Sequence, residues 1–310
     1  MNRGQLSIII TGGTSFIGNY IIREYLRNGH RVTAVIRPNS KNINRLPKHD
    51  LLKITELDMS EINKLESILK GQQYNLFYHL AWEGIRGADR DNEQLQQVNY
   101  ENTIEAMKIA NKLGCKAFIG SGSQAEYGKC QGRIDEQRSA LPNTPYGKAK
   151  LQAYTDLEKM SDKSGIRLVW ARIFSVYGVY DYERTLIMTT LRKLIYNEPI
   201  QLTACTQKWD YIYVEDVAKI MYLLGVTPTA QGIYNIASGE SRPLKEFIFE
   251  MRELLGSKSE LMFGAVPYGD DGYVSFDPVV NRIKEDLNWK CKVSFSEGIK
   301  KILKSMEVEG

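Results

Sequence analysis

An octapeptide of mostly small residues, TGGTSFIG at positions 11–18, directly follows the first apolar run of the chain at residues 6–10. A glycine-rich turn between a strand and a helix brings backbone amides and the positive helix end to a pyrophosphate. Such turns need glycine at three places, and Gly12 and Gly18 fill the outer two. Ser15 fills the middle place, where a Cβ costs about 1 kcal/mol if the backbone is left-handed, although its hydroxyl can bond a phosphate oxygen. The turn predicts a dinucleotide site, rather than an ordinary glycine turn, with these contacts: Gly12, Thr14, Ser15, Phe16, Ile17 and Gly18.

The first half of the chain alternates short apolar runs with longer amphipathic segments, which is typical of a parallel sheet covered by helices. The predicted strands are residues 6–10, 31–36, 52–57, 75–80, 117–120 and 168–173, and residues 60–69 carry a helical apolar face. Later elements are a helix at 186–196 and strands at 200–202 and 233–236. Right-handed crossovers favour a Rossmann-type doubly wound α/β sheet. We expect a dinucleotide-binding domain at residues 1–174 and 206–238, interleaved with a smaller substrate domain at residues 175–205 and 239–310.

The end of the second predicted strand distinguishes between the two nicotinamide cofactors. A carboxylate there bonds the 2′-hydroxyl of NAD, whereas an arginine accommodates the 2′-phosphate of NADP. Arg37 stands at this place, with Asn39 and Ser40 close behind as further phosphate ligands. The sequence therefore favours NADP(H) over NAD(H), and a solvated surface arginine is the alternative interpretation.

A polar loop, SGSQAEYG at residues 121–128, ends the apolar run at residues 117–120. Ligands of open α/β sheets bind at the carboxyl ends of the strands, so this loop is a candidate for chemistry. Further along, Tyr146 and Lys150 are spaced i, i+4 and share one face of a predicted helix. Most such pairs are surface neighbours, but a polar loop and a glycine turn in the same chain favour a catalytic pair.

As an ordered set, these motifs resemble the extended branch of the short-chain dehydrogenase/reductases, the NAD-dependent epimerase/dehydratase type, which acts mainly on nucleotide sugars. The resemblance spans nearly the whole chain and includes TGGTSFIG at 11–18, HLA at 79–81, SGSQAEYG at 121–128, YGKAK at 146–150, RIFSVYG at 172–178 and WDYIYVEDV at 209–217. It implies that Tyr146 is the general acid/base, that Lys150 holds the nicotinamide ribose and lowers the tyrosine pKa, and that Ser123 bonds the sugar carbonyl oxygen. A unit charge about 4 Å away supplies roughly the 4 kcal/mol that such a decrease in pKa requires.

The resemblance also assigns residues to the two ligands. Asp58 is similar to an adenine-contacting aspartate, although an N-cap role beside Ser60 competes with it. The other implied cofactor contacts are Leu80, Ala81, Asn99 and Ser121, together with Tyr146 and Lys150. The implied substrate contacts are Trp82, Gln124, Glu126, Ser175, Tyr177 and Trp209, of which the two tryptophans are alternatively core residues.

The residues that follow Ser123 indicate the reaction. Sugar 4,6-dehydratases of the resembled family carry an Asp-Glu pair there, whereas this chain has Gln124 and Ala125, which transfer protons poorly or not at all. Because Arg37 favours NADP, and because the chain resembles the CDP-abequose-synthase-like 4-ketoreductases, we expect NADPH-dependent reduction of the C4 ketone of a nucleotide-linked 4-keto-6-deoxyhexose. An NAD-dependent nucleotide-sugar 4-epimerase is the alternative. A non-catalytic dinucleotide-binding regulator is a third hypothesis, which the intact catalytic set disfavours.

Charge, cysteine and hydropathy patterns argue against other classes. A formal charge of +4 is small for 310 residues, so we expect no nucleic-acid partner. The four cysteines and three histidines are scattered, which predicts free thiols and no metal site. The apolar run at residues 6–10 is too short to span a membrane, and a soluble cytoplasmic protein is expected. The helices predicted at residues 92–113 and 146–160 resemble the family's dimeric four-helix bundle and imply a homodimer.

Overall fold

A computed structural model describes residues 4–269 and 272–309 and has an α/β architecture. Its strands are β1 (Ser7–Thr11), β2 (Arg31–Ile36), β3 (Leu52–Glu56), β4 (Leu76–His79), β5 (Ala117–Ser123), β6 (Arg133–Ile134), β7 (Arg167–Ile173), β8 (Ser175–Tyr177), β9 (Ile200–Leu202), β10 (Lys208–Trp209), β11 (Tyr211–Tyr213), β12 (Gly232–Ile236), β13 (Arg242–Pro243), β14 (Leu261–Phe263) and β15 (Asp277–Pro278). Its α-helices are α1 (Phe16–Arg27), α2 (Leu65–Leu69), α3 (Glu93–Lys112), α4 (Pro145–Ser164), α5 (Leu186–Ile195), α6 (Val214–Val226), α7 (Leu244–Leu255), α8 (Asn281–Leu287) and α9 (Phe295–Glu309). Short 3₁₀ segments occupy Ile43–Arg45, Met59–Lys64, Gly87–Asp91 and Gln124–Tyr127.

Seven parallel strands form the central sheet in the order β3-β2-β1-β4-β5-β7-β12. The chain builds outward from β1 to β3, crosses back to β4, and then builds outward on the other side. The strand order therefore reverses between β1 and β4, which is the place where doubly wound sheets bind ligands. The predicted Rossmann-type doubly wound α/β sheet is confirmed, and each strand predicted for it overlaps an observed strand.

The first strand illustrates why its residues form a central strand. Ile8 and Ile10 belong to the hydrophobic core on one face of the sheet, while Ile9 belongs to the core on the other face. All three are fully buried. A strand covered on both faces reads as a continuous apolar run instead of an alternating one, as the sequence at residues 6–10 does.

Side-chain caps begin the two helices that border the site. Ser15 precedes α1 and accepts a hydrogen bond from the Gly18 amide, and Thr144 precedes α4 and accepts one from the Gly147 amide at 3.1 Å. Pro145 occupies the first turn of α4, where its missing N–H costs no hydrogen bond. Both helix N-termini therefore start at fixed points beside the carboxyl ends of the central strands.

The segment at residues 60–69 differs from its prediction as a single helix. It consists of the 3₁₀ segment Met59–Lys64 followed by α2, because Glu61 has non-helical dihedral angles (φ −111°, ψ 18°). Ile62, Leu65 and Leu69 are buried as the apolar pattern predicts. The pattern identified the buried face correctly, but it did not distinguish one helix from two short helical turns.

The later part of the chain adds a third hydrophobic core around α5, α7 and α9. Two-residue and three-residue strands also pair outside the central sheet, as β8 with β11, β9 with β14, β10 with β13 and β6 with β15. Helix α8 packs instead against β12 and α6 of the central layer. The proposed boundaries between the two domains stay a prediction. Within the described ranges, no helix combines the length and apolarity needed to cross a bilayer.

Candidate active site

A cleft of about 1130 Å³ opens at the carboxyl ends of the central strands. The glycine turn, the loop after β4, the end of β5 and the start of α4 contribute to one wall, and the segment around residues 173–184 and parts of the third core region contribute to the other. Among the predicted site residues, these line it: Ser15, Phe16, Ile17, Leu80, Trp82, Ser121, Ser123, Gln124, Tyr146, Lys150 and Trp209. The structure therefore brings together residues from segments that are far apart in the sequence.

The glycine turn after β1 lies against the end of β4. Gly12 has a φ of +70°, and a Cβ at this position would lie only 2.9 Å from the Ala81 amide nitrogen. A Cβ at Gly18 would collide with the carbonyl oxygen of Gly12. Two of the three glycine places of a dinucleotide turn are thus required by close contacts. The first-turn residues Phe16 and Ile17 of α1, whose amides precede the first intrahelical bonds, line the cleft, so this cradle fits a pyrophosphate.

Ser15 at the middle place has an ordinary extended backbone, with φ −66° and ψ 166°. The cost of a Cβ in a left-handed conformation therefore does not arise. Its hydroxyl accepts a hydrogen bond from the Gly18 amide at 3.0 Å, so it is the N-cap of α1 in addition to lining the cleft. Serine is compatible with this turn because the extended backbone at this position does not require glycine and the hydroxyl stabilises the start of α1.

Arg37 lies at the end of β2, as predicted, but it is not a free surface cation. Its guanidinium forms an ion pair with Glu83 at 2.7 Å, and both side chains are exposed. Asn39, two residues later, has a φ of 55°, which an asparagine adopts in turns. The 2′-phosphate contacts that the sequence predicts for Arg37 and Asn39 stay predictions, and Glu83 is a partner that the sequence did not indicate.

Three further predicted cofactor residues form local hydrogen bonds. The hydroxyls of Thr14 and Ser40 are 2.9 Å apart and join the glycine turn to the loop after β2. The Asp58 carboxylate accepts hydrogen bonds from the amide and hydroxyl of Ser60 and caps the following 3₁₀ segment. These bonds, with a smaller contribution from Arg37, lower the pKa of Asp58. The N-cap role that competed with an adenine contact is present in the structure.

The loop between β4 and α3, residues 80–92, is held by two buried polar side chains of α3. Asn99 accepts a hydrogen bond from the Glu83 amide at 3.0 Å and donates one to the Glu83 carbonyl at 2.9 Å. Gln96 accepts from the indole of Trp82 at 2.7 Å and donates to the carbonyl oxygens of Gly84 and Asp89. Because both functional groups of the Asn99 side chain bond the protein, Asn99 acts on the site through this loop.

The predicted catalytic residues converge where α4 meets the end of β5. Ser123 and Tyr146 are close enough for their hydroxyls to hydrogen-bond, and Tyr146 is 8% exposed. A Cβ on Gly147 would collide with the carbonyl of Ala125, so this glycine permits the close approach of α4 to the polar loop. Lys150 lies one turn further along α4 and is 2% exposed. The i, i+4 spacing of Tyr146 and Lys150 produces the predicted common face.

Lys150 is directed toward the strand end and an aromatic ring. Its ammonium donates a hydrogen bond to the Ser121 carbonyl at 2.6 Å and lies 3.6 Å from the ring centre of Trp82. Burial lowers the pKa of Lys150 to about 7, with Glu126 opposing the change. Its Nζ is 5.8 Å from the ring centre of Tyr146. Burial thus disfavours the charged form of Lys150, and the nearby Glu126 carboxylate favours it.

The pKa of Tyr146 is raised by burial, whereas the resemblance implied a decrease. The hydrogen bond with Ser123 and the charges of Arg90 and Arg86 lower it in part, while Glu126 raises it. The cations that offset the burial of the phenol are thus two arginines, and the expected effect of Lys150 is not among the main causes. The physical reason is that burial lowers the pKa of Lys150 to about 7, so this amine is largely neutral at the high pH where the Tyr146 phenol titrates.

Glu126 does not face the cleft, so the predicted substrate contact by this residue is wrong. The side chain is fully buried and forms a 2.7 Å ion pair with Arg172, which is 2% exposed. It also accepts hydrogen bonds from the Ser123 amide at 2.8 Å and the Trp170 indole at 3.0 Å. The carboxylate closes a capping box on the 3₁₀ segment Gln124–Tyr127 and fixes the backbone of Ser123.

Of the remaining predicted substrate residues, Tyr177 is also directed away from the cleft. It is 1% exposed, and its hydroxyl donates to the carbonyl oxygen of Phe295 at 3.2 Å in the third core, so its predicted substrate contact is wrong. Ser175 in β8 does not line the cleft. Gln124 and Trp209 do line it, Trp209 while stacked edge-on against Phe276.

Arg86 and Arg90 of the β4–α3 loop line the cleft and were not predicted. The Arg90 guanidinium lies 5.2 Å from the ring centre of Tyr146. Arg86 lies over the ring of Tyr182 and 3.6 Å from the Asp181 carboxylate on the opposite wall. A usable sequence signal was their position shortly after a predicted strand end.

Across residues 4–269 and 272–309, no group of histidine, cysteine and acidic residues could hold a metal ion.

Comparison with known proteins agrees with this geometry. The model of the NAD dependent epimerase/dehydratase family matches residues 8–237. The chain is 25% identical to CDP-abequose synthase from Salmonella muenchen, covering 97% of this chain and 98% of that protein. It is 27% identical to dTDP-4-dehydro-6-deoxyglucose reductase from Escherichia coli, covering 99% of each. It is 24% identical to UDP-arabinose 4-epimerase 1 from Arabidopsis thaliana, covering 93% of this chain and 76% of that protein.

Solved structures of similar fold include UDP-glucose 4-epimerase from Thermus thermophilus in complex with NAD. That structure superposes with a TM-score of 0.86 at 20% identity and covers 97% of this chain and 99% of its own. At this identity the likeness concerns the fold. It agrees with the central sheet described above.

Proposed function

We propose a function from the premise that this chain belongs to the NAD-dependent epimerase/dehydratase family, the nucleotide-sugar epimerases, reductases and dehydratases. Within this family, we assign it the NADPH-dependent reduction of the C4 ketone of a nucleotide-linked 4-keto-6-deoxyhexose. The observation that carries the proposal is the composition of the catalytic corner. Ser123, Tyr146 and Lys150 meet there, and the two residues after Ser123 are the uncharged Gln124 and Ala125.

The reduction adds a hydride to C4 and a proton to the C4 oxygen, so that the ketone becomes an alcohol. Bound NADPH would supply the hydride and would thereby be oxidised to NADP⁺. Ser123 donates a hydrogen bond to the carbonyl oxygen, and Tyr146 donates the proton. The raised pKa of Tyr146 keeps the phenol protonated before this transfer. Arg90, which lies over the phenol ring, stabilises the tyrosinate that the transfer leaves behind.

The corner lacks the groups that elimination of water would need. A dehydratase requires an acid and a base beside the catalytic hydroxyl in addition to the tyrosine. Gln124 and Ala125 cannot supply them, and the Glu126 carboxylate is buried against Arg172. Asp181 lines the cleft but bonds Thr185 and the amide of Tyr182. Tyr146 is thus the best-placed proton donor for the sugar, which supports simple carbonyl chemistry.

The glycine turn and Arg37 support a nicotinamide dinucleotide. The cradle at Gly12 and the first turn of α1 fit the pyrophosphate, and Arg37 at the end of β2 favours NADP(H) over NAD(H). Ser121 and Lys150 stand at the cleft wall where a nicotinamide ribose would be held.

An NAD-dependent 4-epimerase is the second candidate. It is favoured by the ion pair that already engages Arg37 and by the similar identity to an epimerase and to a reductase. An epimerase returns the hydride to its sugar, so it consumes no cofactor. The third hypothesis, a non-catalytic dinucleotide-binding regulator, would leave the close packing of Ser123 and Tyr146 without a purpose.

The test is a panel of CDP-, dTDP-, UDP- and GDP-linked 4-keto-6-deoxyhexoses with NADPH consumption as the measured signal. We expect stoichiometric oxidation of NADPH with at least one of them, loss of turnover in Tyr146→Phe, and unchanged turnover in the exposed control Tyr196→Phe. The corresponding 4-hydroxy nucleotide sugars are incubated with the protein in parallel, and their interconversion without NADPH consumption would identify an epimerase instead. Binding of NADPH without either reaction would identify the regulator.

We also propose a homodimer formed through α3 and α4, because the sequence segments of these helices resemble the family's dimeric four-helix bundle and the two helices pack side by side. Light scattering of the purified protein should give about twice the mass of the 35.4 kDa chain. A monomeric mass at assay concentration would contradict this proposal.

A further inference from the structure

An exposed ion pair crosses the sheet edge above the glycine turn. Strand β1, which leads into the turn, pairs with β2 on one side and β4 on the other. Arg37 directly follows β2, and Glu83 follows β4 by four residues. Their 2.7 Å contact therefore joins the two loops that flank the cradle at Gly12. A dinucleotide that lies on this turn passes beside the pair.

Glu83 is a fixed point of this arrangement. Its backbone amide and carbonyl both bond the side chain of Asn99, and Asn99 is buried on the long helix α3. The carboxylate consequently projects from a rigid position, although it is itself exposed. Arg37 reaches this carboxylate by a long, flexible and exposed side chain, so it is the member of the pair that can turn toward another anion.

Arg37 also acts on a second carboxylate. Its charge contributes to lowering the pKa of Asp58, which lies after β3. The guanidinium thus stands in the field of two acids, Glu83 from the loop after β4 and Asp58 from the segment after β3. A phosphate that binds Arg37 must compete with these two negative charges.

We propose that Glu83 determines the choice of cofactor by controlling Arg37. With NAD(H), the Arg37–Glu83 pair stays closed beside the adenosine ribose. With NADP(H), the 2′-phosphate takes Arg37 from Glu83. The inference rests on the proposed dinucleotide site, and it assigns a role to a residue outside the motifs that define that site.

The expected effect follows from the weakness of exposed ion pairs. Removing the charge of Glu83 frees Arg37 and takes away a repulsive charge, so NADPH should bind about twofold to fivefold more tightly. NADH has no 2′-phosphate and gains nothing from a free Arg37, so its affinity should stay the same or fall. The ratio of the two dissociation constants therefore shifts toward NADPH.

The experiment measures equilibrium dissociation constants of NADPH and NADH by nucleotide fluorescence, without a sugar substrate, at fixed low salt. The proteins are the unaltered chain, Glu83→Gln, Arg37→Ala and the double variant. The matched control is Glu198→Gln, which removes one exposed carboxylate in the segment after α5 instead of in the loops after β2 and β4. We expect Glu83→Gln to shift the ratio toward NADPH, the control to leave it unchanged, and the shift to vanish in the Arg37→Ala background.

Two results would overturn the inference. An unchanged ratio in Glu83→Gln would remove Glu83 from cofactor choice, while NADPH binding by the unaltered chain would leave the proposed reductase standing. The same shift with and without Arg37 would show that Glu83 acts by general charge and not through Arg37. If the unaltered chain bound neither nucleotide, the proposed function and the inference would both fail.

Discussion

Replacing Glu126 by glutamine is expected to destabilise the fold more than a typical single substitution does. The Glu126 carboxylate is fully buried and is the partner of Arg172, which is 2% exposed. It also accepts hydrogen bonds from Ser123 and Trp170. Glutamine keeps the size and one acceptor oxygen of the side chain, but it removes the charge and presents an NH₂ group to donors. Arg172 would become a buried cation without its counter-ion.

The magnitude follows from the burial of the pair. Breaking a buried ion pair by removing one partner costs about 3–5 kcal/mol. An unfolding entropy of roughly 2.1 cal/mol/K per residue gives about 0.65 kcal/mol/K for 310 residues. The melting temperature should therefore decrease by about 5–8 °C. Turnover should also decrease, because the bond between Glu126 and the Ser123 amide fixes the residue that holds the carbonyl oxygen.

Differential scanning calorimetry at pH 7 measures this change, and Glu105→Gln is the matched control. Glu105 forms the same kind of ion pair with Lys108, at 3.0 Å, but on the surface of α3, so its loss should cost less than about 1 kcal/mol. The double variant Glu126→Gln, Arg172→Gln should lose less stability than the two single variants together. A decrease below about 2 °C for Glu126→Gln, or strict additivity in the double variant, would refute the argument.

Three further predictions concern titratable groups. Lys150→Met should raise the unfolding free energy at pH 7 while abolishing turnover, because burial lowers the pKa of Lys150 from 10.5 in the unfolded chain to about 7 in the folded one, and a charged lysine is costly to bury. The gain in calorimetric stability over the unaltered chain should shrink as the pH rises from about 7 to about 10.5, and a gain independent of pH would contradict this prediction. His79→Gln should reduce the loss of unfolding free energy between about pH 6.5 and pH 3, because burial lowers the pKa of His79 to about 3 and only the unfolded chain takes up the proton in that range. The urea unfolding midpoint is measured at pH 7 and at pH 4, and the same decrease between these two pH values in both proteins would contradict the prediction. Arg90→Gln should move the Tyr146 limb of the pH–rate profile to higher pH, because the charge of Arg90 lowers the pKa of the phenol. Arg90→Lys keeps the charge and should shift the limb less, and an unmoved limb in Arg90→Gln would show that Arg90 does not act on the phenol.

The central sheet could be predicted from the sequence because burial on both faces leaves a strong local signal. The isoleucines of β1 form a continuous apolar run, and each of them packs into one of two cores. The segment at residues 60–69 was predicted less well. Its apolar residues are buried as expected, but Glu61 interrupts the helix, and apolar spacing alone carries no information about a single non-helical residue.

The site was predictable where chemistry depends on residues close in the sequence. Tyr146 and Lys150 share a helix, and Gly12 and Gly18 share a turn, so their relation could be inferred from spacing. Contacts between distant segments could not. Arg37 meets a carboxylate 46 residues away, and nothing in the local sequence of either residue indicates the other.

The case of Glu126 shows why a polar loop after a buried strand has two uses. β5 ends between β4 and β7, so the first side chains beyond it face either the cleft or the interior. A Cβ on Gly122 would collide with the Trp170 indole and lie 2.6 Å from the Glu126 carboxylate, which leaves this interior space to the glutamate. The loop thereby neutralises a buried arginine of β7 with the one carboxylate it contains. Since that carboxylate is committed to the fold, the residues that follow Ser123 at the cleft are Gln124 and Ala125, and the proton chemistry of this corner falls to Tyr146.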